Sequence, residues 1–121
     1  MSLRDALAKA VNISPVMDGK EQIRTDDVLG QELTIAAFDI VPGIDPRTKE
    51  EFTAPVFNFV EFPDKWYRGG ASLTRLVSAA TALTNGDIAE ASVMTAEEGI
   101  RIKLDKRWKR DGTPWVSVKV L

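Results

Sequence analysis

Apolar and polar positions alternate with a period of two through the C-terminal part of the chain. Between residues 100 and 121, Ile100, Ile102 and Leu104 alternate with Arg101, Lys103 and Asp105, and Val116, Val118 and Val120 alternate with Ser117 and Lys119. This is the period of half-buried strands. Asp111-Gly112 between the two arms is a turn signal, so the stretch predicts a β-hairpin. A two-residue loop would set Leu104 against Lys119 and Val118 against Asp105 and mismatch the apolar faces, so the connection must have an odd length. A three-residue connection with Gly112 in the left-handed bulge position meets this condition. It puts Ile102, Leu104, Val116, Val118 and Val120 on the buried face. Trp108 and Lys106 have the parity of that face, so the regular strand is expected to end or bulge near Asp105. Trp115 shares the opposite face with Arg107, Lys109 and Lys119.

Upstream, residues 32–41 read as a strand with apolar residues on both faces: Leu33, Ile35 and Ala37 on one, Ala36, Phe38 and Ile40 on the other. Residues 42–51 read as a loop. Residues 52–62 form a second strand. Its even positions (Phe52, Ala54, Val56, Asn58, Val60, Phe62) are the longer and more apolar set and are expected inward. Phe57 and Phe59 then stand on the outer face, either as stacking platforms or beneath an N-terminal extension or a dimer seam. Pro55 points to an edge or a bulge. Lys65-Trp66-Tyr67-Arg68 is a short strand or bend stopped by Gly69-Gly70, and at most one of its two aromatics is expected to be exposed. Residues 71–83 carry a helical stripe of Leu73, Leu76, Val77, Ala80 and Leu83, with Ser72 as cap. Residues 87–94 fit either a helical turn or a strand, and residues 97–99 read as a turn. At the N-terminus, residues 2–11 look like a short helix. Residues 25–30 read as one helical turn with Thr25 as N-cap and Gly30 as stop.

The order is thus three strands, one helix and a two-stranded hairpin over residues 31–121, after a helical extension over residues 1–30. This is the connectivity of a mainly β, five-stranded OB-fold barrel with one helix between its third and fourth strands. In such a barrel oligonucleotides lie across the middle strands, flanked by the loops that here are residues 42–51 and 106–113.

Charge sharpens this picture. The chain of 121 residues has a net charge of −2, but residues 1–62 carry −5, residues 63–121 carry +3, and residues 101–121 alone carry +5. The basic patch therefore coincides with the aromatic hairpin. Cations for phosphates and flat rings for bases are what a single-stranded nucleic acid requires. The candidate contacts are Lys65, Arg68, Lys106, Arg107, Lys109 and Arg110 for phosphates. Phe57, Phe59, Trp66 and Trp115 are the candidates for bases.

Other chemistry is poorly supplied. With no histidine and no cysteine, the chain lacks the commonest general base, the commonest metal ligand and any disulfide framework. The adjacent acid pairs Asp26-Asp27, Glu50-Glu51 and Glu97-Glu98 point apart rather than converge. No nucleotide motif is present. The expectation is a non-enzyme without metal or cofactor. No apolar run of membrane-spanning length occurs, and residues 1–11 are too short and charged for a secretory leader, so a cytoplasmic address with no membrane partner is expected.

The layout of residues 31–121, in the pattern of ELTIAAFDIV, VFNFVEFPDKWYRGG and the closing basic hairpin, resembles the small single-stranded-DNA-binding-like proteins of bacteriophages and prophages. The resemblance implies sequence-tolerant, non-catalytic binding of single strands, DNA before RNA, in the host cytoplasm. The alternative is a protein-interaction or structural module of a phage system, with a second copy or another protein as partner.

Overall fold

The computed structural model describes residues 14–44 and 47–121. The expected helix over residues 2–11 lies outside them. The described elements are β1 (Glu21–Gln22), α1 (Thr25–Val28), β2 (Glu32–Ile44), β3 (Glu51–Phe59), β4 (Phe62–Arg68), α2 (Ala71–Ala82), α3 (Ile88–Glu98), β5 (Arg101–Trp108) and β6 (Pro114–Val120). They build one mixed sheet in the order β1-β4-β3-β2-β5-β6.

The long β2 is the hinge of this sheet. Its first residues, Glu32 to Thr34, pair antiparallel with β5, and Ile35 to Ile44 pair antiparallel with β3. A bulge between Ile35 and Ala37 lies near this change of partner, where bulges bend and twist a strand. Past the bulge, the edge of β2 that β5 no longer covers is covered by α3: the Phe38 N–H donates to Ser92 Oγ at 2.9 Å. Arg101 of β5 forms an ion pair with Glu32 of β2. The strand also runs through Pro42 and Gly43, further than its pattern indicated, because Thr53 and Phe52 of β3 pair with them.

Glu61 secures the same turn of the chain. Its carboxylate accepts from the Thr34 N–H at 2.6 Å and from the Thr34 hydroxyl at 2.9 Å. Slight burial alone would raise its pKa. The two Thr34 donors and the Arg101 charge outweigh this and hold it below the usual carboxylate range. A carboxyl depressed in the folded state binds fewer protons folded than unfolded. It therefore stabilises the fold fully above its unfolded pKa of about 4.3, and this contribution disappears as pH falls through the lower folded value. Glu61→Gln is expected to cost about 1 kcal/mol at neutral pH and less at about pH 3, below the unfolded pKa, given the exposure of the pair. Urea unfolding at both pH values measures the difference.

The expected closed five-stranded barrel is replaced by an open sheet. Six strands pair, β4 and β6 are not neighbours, and two helices rather than one separate β4 from β5. The stretch from residue 87, ambiguous by pattern, is the helix α3. Asp87 caps it by accepting from the Glu90 N–H at 3.0 Å, and Gly99 ends it in the left-handed conformation with φ 66°. In α1 the cap residue is Arg24 rather than Thr25; the Thr25 hydroxyl instead meets the Tyr67 hydroxyl at 3.2 Å.

The core joins Leu33, Ile35, Phe38, Phe57, Phe59, Tyr67, Ile102 and Leu104 of the sheet to Leu73, Val77 and Ala91 of the helices. Ile23 and Val28 of the N-terminal segment are buried in the same cluster. Phe57 and Phe59 stack at 6.1 Å with an 11° interplanar angle, between Phe38 at 5.9 Å from Phe57 and Tyr67 at 6.0 Å from Phe59. The expected outward position of these two rings is thereby overturned. The opposite side of β3, with Ala54, Val56 and Asn58, is also buried. Asn58 is satisfied there: its amide donates to the Val16 carbonyl at 2.7 Å and the Lys65 carbonyl at 3.3 Å, and its oxygen accepts from Lys20 Nζ at 3.3 Å.

Helix α2 approaches the sheet closely at Gly69. A Cβ there would fall 2.7 Å from both Cβ and Cδ1 of Leu73 and 3.2 Å from Cγ of Pro55. Gly69→Ala is expected to cost about 1–3 kcal/mol through overpacking, read as a lower urea midpoint with an unchanged m-value. Gly70, with nothing within 4 Å of its notional Cβ, is the control.

Candidate nucleic-acid interface

The C-terminal hairpin forms as its parity requires. Arg107 pairs with Trp115, Leu104 with Val118 and Ile102 with Val120. The Lys109 N–H donates to the Thr113 carbonyl and the Gly112 N–H to the Lys109 carbonyl, each at 2.9 Å, and Gly112 has φ 86°. This is a three-residue loop over Arg110, Asp111 and Gly112 with a glycine bulge. Asp111 Oδ1 accepts from the Thr113 N–H at 2.9 Å, and the Thr113 donors lower the Asp111 pKa. Ile102 and Leu104 are fully buried, Val116 and Val118 are half-buried, and Val120 is exposed, so the apolar face fades toward the outer strand. Trp108, despite its core parity, is 64% exposed. Regular pairing continues to Trp108↔Pro114 rather than ending near Asp105, which carries the ribbon past the core.

A groove runs between the last residues of β4, past the Lys65 and Trp66 that pair with β1, and the free edge of β6. Its central part, about 490 Å³, has Tyr67, Arg68, Gly69 and Gly70 on one wall and Trp115 and Val116 on the other. Thr25 is common to this part and to its two neighbours. One neighbour, about 350 Å³, extends along Gln22, Ile23 and Arg24; the other, about 230 Å³, extends to Asp26, Leu29, Lys106 and Pro114. Ser72 of α2 closes one end, its hydroxyl donating to the Val116 carbonyl at 3.4 Å.

Of the sequence-derived contacts, Arg68, Lys106 and Trp115 line this groove. Trp115 is 41% exposed, and the Arg68 guanidinium lies 4.8 Å from the Phe52 ring centroid. Arg107, Lys109 and Arg110 are exposed on the hairpin beside it; Arg107 Nε donates to Ser117 Oγ at 3.2 Å. Lys65 and Trp66 are half-buried on β4, where the Trp66 carbonyl accepts from the Ile23 N–H at 2.8 Å, and neither lines the groove. Phe57 and Phe59, 0% and 2% exposed, are core residues and no ligand surface.

Arg24 and Tyr67 line the groove without having been singled out by pattern. Arg24 is a single cation before an acidic helical turn, and Tyr67 reaches the groove beside the Thr25 hydroxyl although its ring is buried. Among the described residues, no helix is long and apolar enough to cross a membrane. The chain matches no protein-family model, no curated protein and no solved structure.

Proposed function

We propose that the protein binds single-stranded nucleic acid, DNA in preference to RNA, without catalysis, in the groove between β4 and β6. The observation that carries this reading is the convergence of Trp115, Arg68, Lys106 and Arg24 on three adjoining pockets that share Thr25. Trp115 offers a ring to a base, and the cations offer phosphate contacts on either side of it. The strand pairing lends support by analogy. β2 pairs with both β3 and β5, as the first strand of an OB barrel does, and the groove separates β6 from the end of β4 that β1 leaves uncovered. The outer side of β3 is covered by the segment around Val16 and Lys20, so a ligand is directed to the groove instead.

The test is a titration with a labelled oligo-dT strand at two salt concentrations, with tryptophan emission followed in parallel. Three neutralised phosphates, one each at Arg24, Arg68 and Lys106, give a slope of log K against log salt of about −2. Binding with quenching and such a slope supports the reading, and no binding at low salt overturns it.

A second reading has its own observation. Leu76, Ala80, Met94, Ile100 and Val120 line an apolar groove of about 220 Å³ beside Leu83, which is 79% exposed. Contiguous exposed apolar surface of this kind fits a protein partner. It becomes the working answer if the titration fails.

A further inference from the structure

The groove leaves the most exposed ring of the hairpin without a role. Trp108 pairs with Pro114 while Trp115 pairs with Arg107. The two indoles therefore project from opposite faces of the same two-stranded ribbon. Each has a cation on its own face. Lys106 Nζ lies 5.9 Å from the Trp108 ring centroid, and Arg107 stands directly across from Trp115. Lys109 and Arg110, both exposed, occupy the turn between the faces.

Resting on the reading above, we propose that this tip is a two-faced wedge whose preferred ligand is a forked duplex with two single-stranded arms. One arm runs over Trp115 into the groove, which Lys106 also lines, and the other passes over Trp108. The phosphates at the branch meet Lys109 and Arg110. Side chains on the two faces of a ribbon point in opposite directions, so adjacent bases of one strand do not reach both rings. A fork presents two unpaired bases on either side of a divider, and so uses both rings at once.

The experiment compares two labelled DNA ligands of equal length and charge. One is a duplex ending in two oligo-dT arms; the other is the same duplex with a single oligo-dT arm of the same total length. A plain oligo-dT strand is titrated beside them. The fork is expected to bind roughly tenfold tighter than the one-armed duplex, the effect of one added stacking contact. Trp108→Ala is expected to abolish that preference while leaving the plain-strand affinity within about twofold, since plain-strand binding rests on the groove. With 64% of its surface exposed, Trp108 contributes little to the core, so this variant folds. Equal binding of the two duplexes, or a preference that survives Trp108→Ala, overturns the wedge while the groove reading stands. Failure of all three ligands at low salt overturns both.

Discussion

Replacing Phe57 by alanine is expected to cost about 3–5 kcal/mol of folding stability, the range for deleting a fully buried aromatic ring. The ring has no exposed surface and lies against Phe38 and Phe59 at 5.9 and 6.1 Å between centroids. Truncation therefore removes buried apolar area and opens a cavity between strands held on both sides. A typical domain is stable by only about 5–15 kcal/mol, so the variant is left close to unfolding. Urea denaturation followed by circular dichroism measures it. A loss below about 1 kcal/mol would show that Phe57 is not in the core. Had the ring been a stacking platform, the same substitution would have lowered affinity and spared stability.

Trp115→Ala is expected to do the reverse. Loss of one base–aromatic contact weakens single-strand binding by about 1–3 kcal/mol, or roughly 5- to 150-fold. Trp115 is 41% exposed at the start of β6, so the fold tolerates its removal. Emission quenching on titration should vanish with it, although Trp66 and Trp108 remain as fluorophores. Arg68→Ala is the complement: removing one phosphate contact flattens the salt slope by about 0.7. Unchanged affinity in Trp115→Ala would remove the groove from consideration, whatever Arg68→Ala does.

The contrast between these two aromatics shows what was legible in the chain. The hairpin register follows from parity and one glycine, because a slip of one residue would turn Leu104 outward. Both inputs are local, and the structure agrees down to Gly112. The orientation of β3 is not local. Its alternation is informative only if one side meets water, and here both sides are covered, one by the helical core and the other by the segment around Val16. Asn58 looked like an interruption of a buried face, yet it is a satisfied buried amide, and no pattern shows which carbonyls will meet it. Pro55 pointed to an edge, and β3 is central. Its carbonyl accepts from Gly69 just beyond the end of β4, so its missing N–H faces no strand.

Helix α3 carried a readable signal in the spacing of Asp87 and Glu90 and in Gly99, a cap at each end. Its alanines and its single valine blurred the apolar stripe. The groove was half legible. The cations and Trp115 stand out by composition, whereas Arg24 and the missing β4–β6 pairing depend on how the sheet curves.

The divided pairing of β2 also has a kinetic consequence. Its arm toward β3 closes through a short connection, but its first residues reach β5 across a separation of 69 positions, as between Glu32 and Arg101. The entropy of closing so long a loop must be met before Leu33 gains Ile102 as its neighbour. On a ribosome, the β2–β3–β4 meander emerges and pairs first while the start of β2 waits with an open flank. Pairing at the start of β2 therefore waits for the basic hairpin, which is made after both α2 and α3.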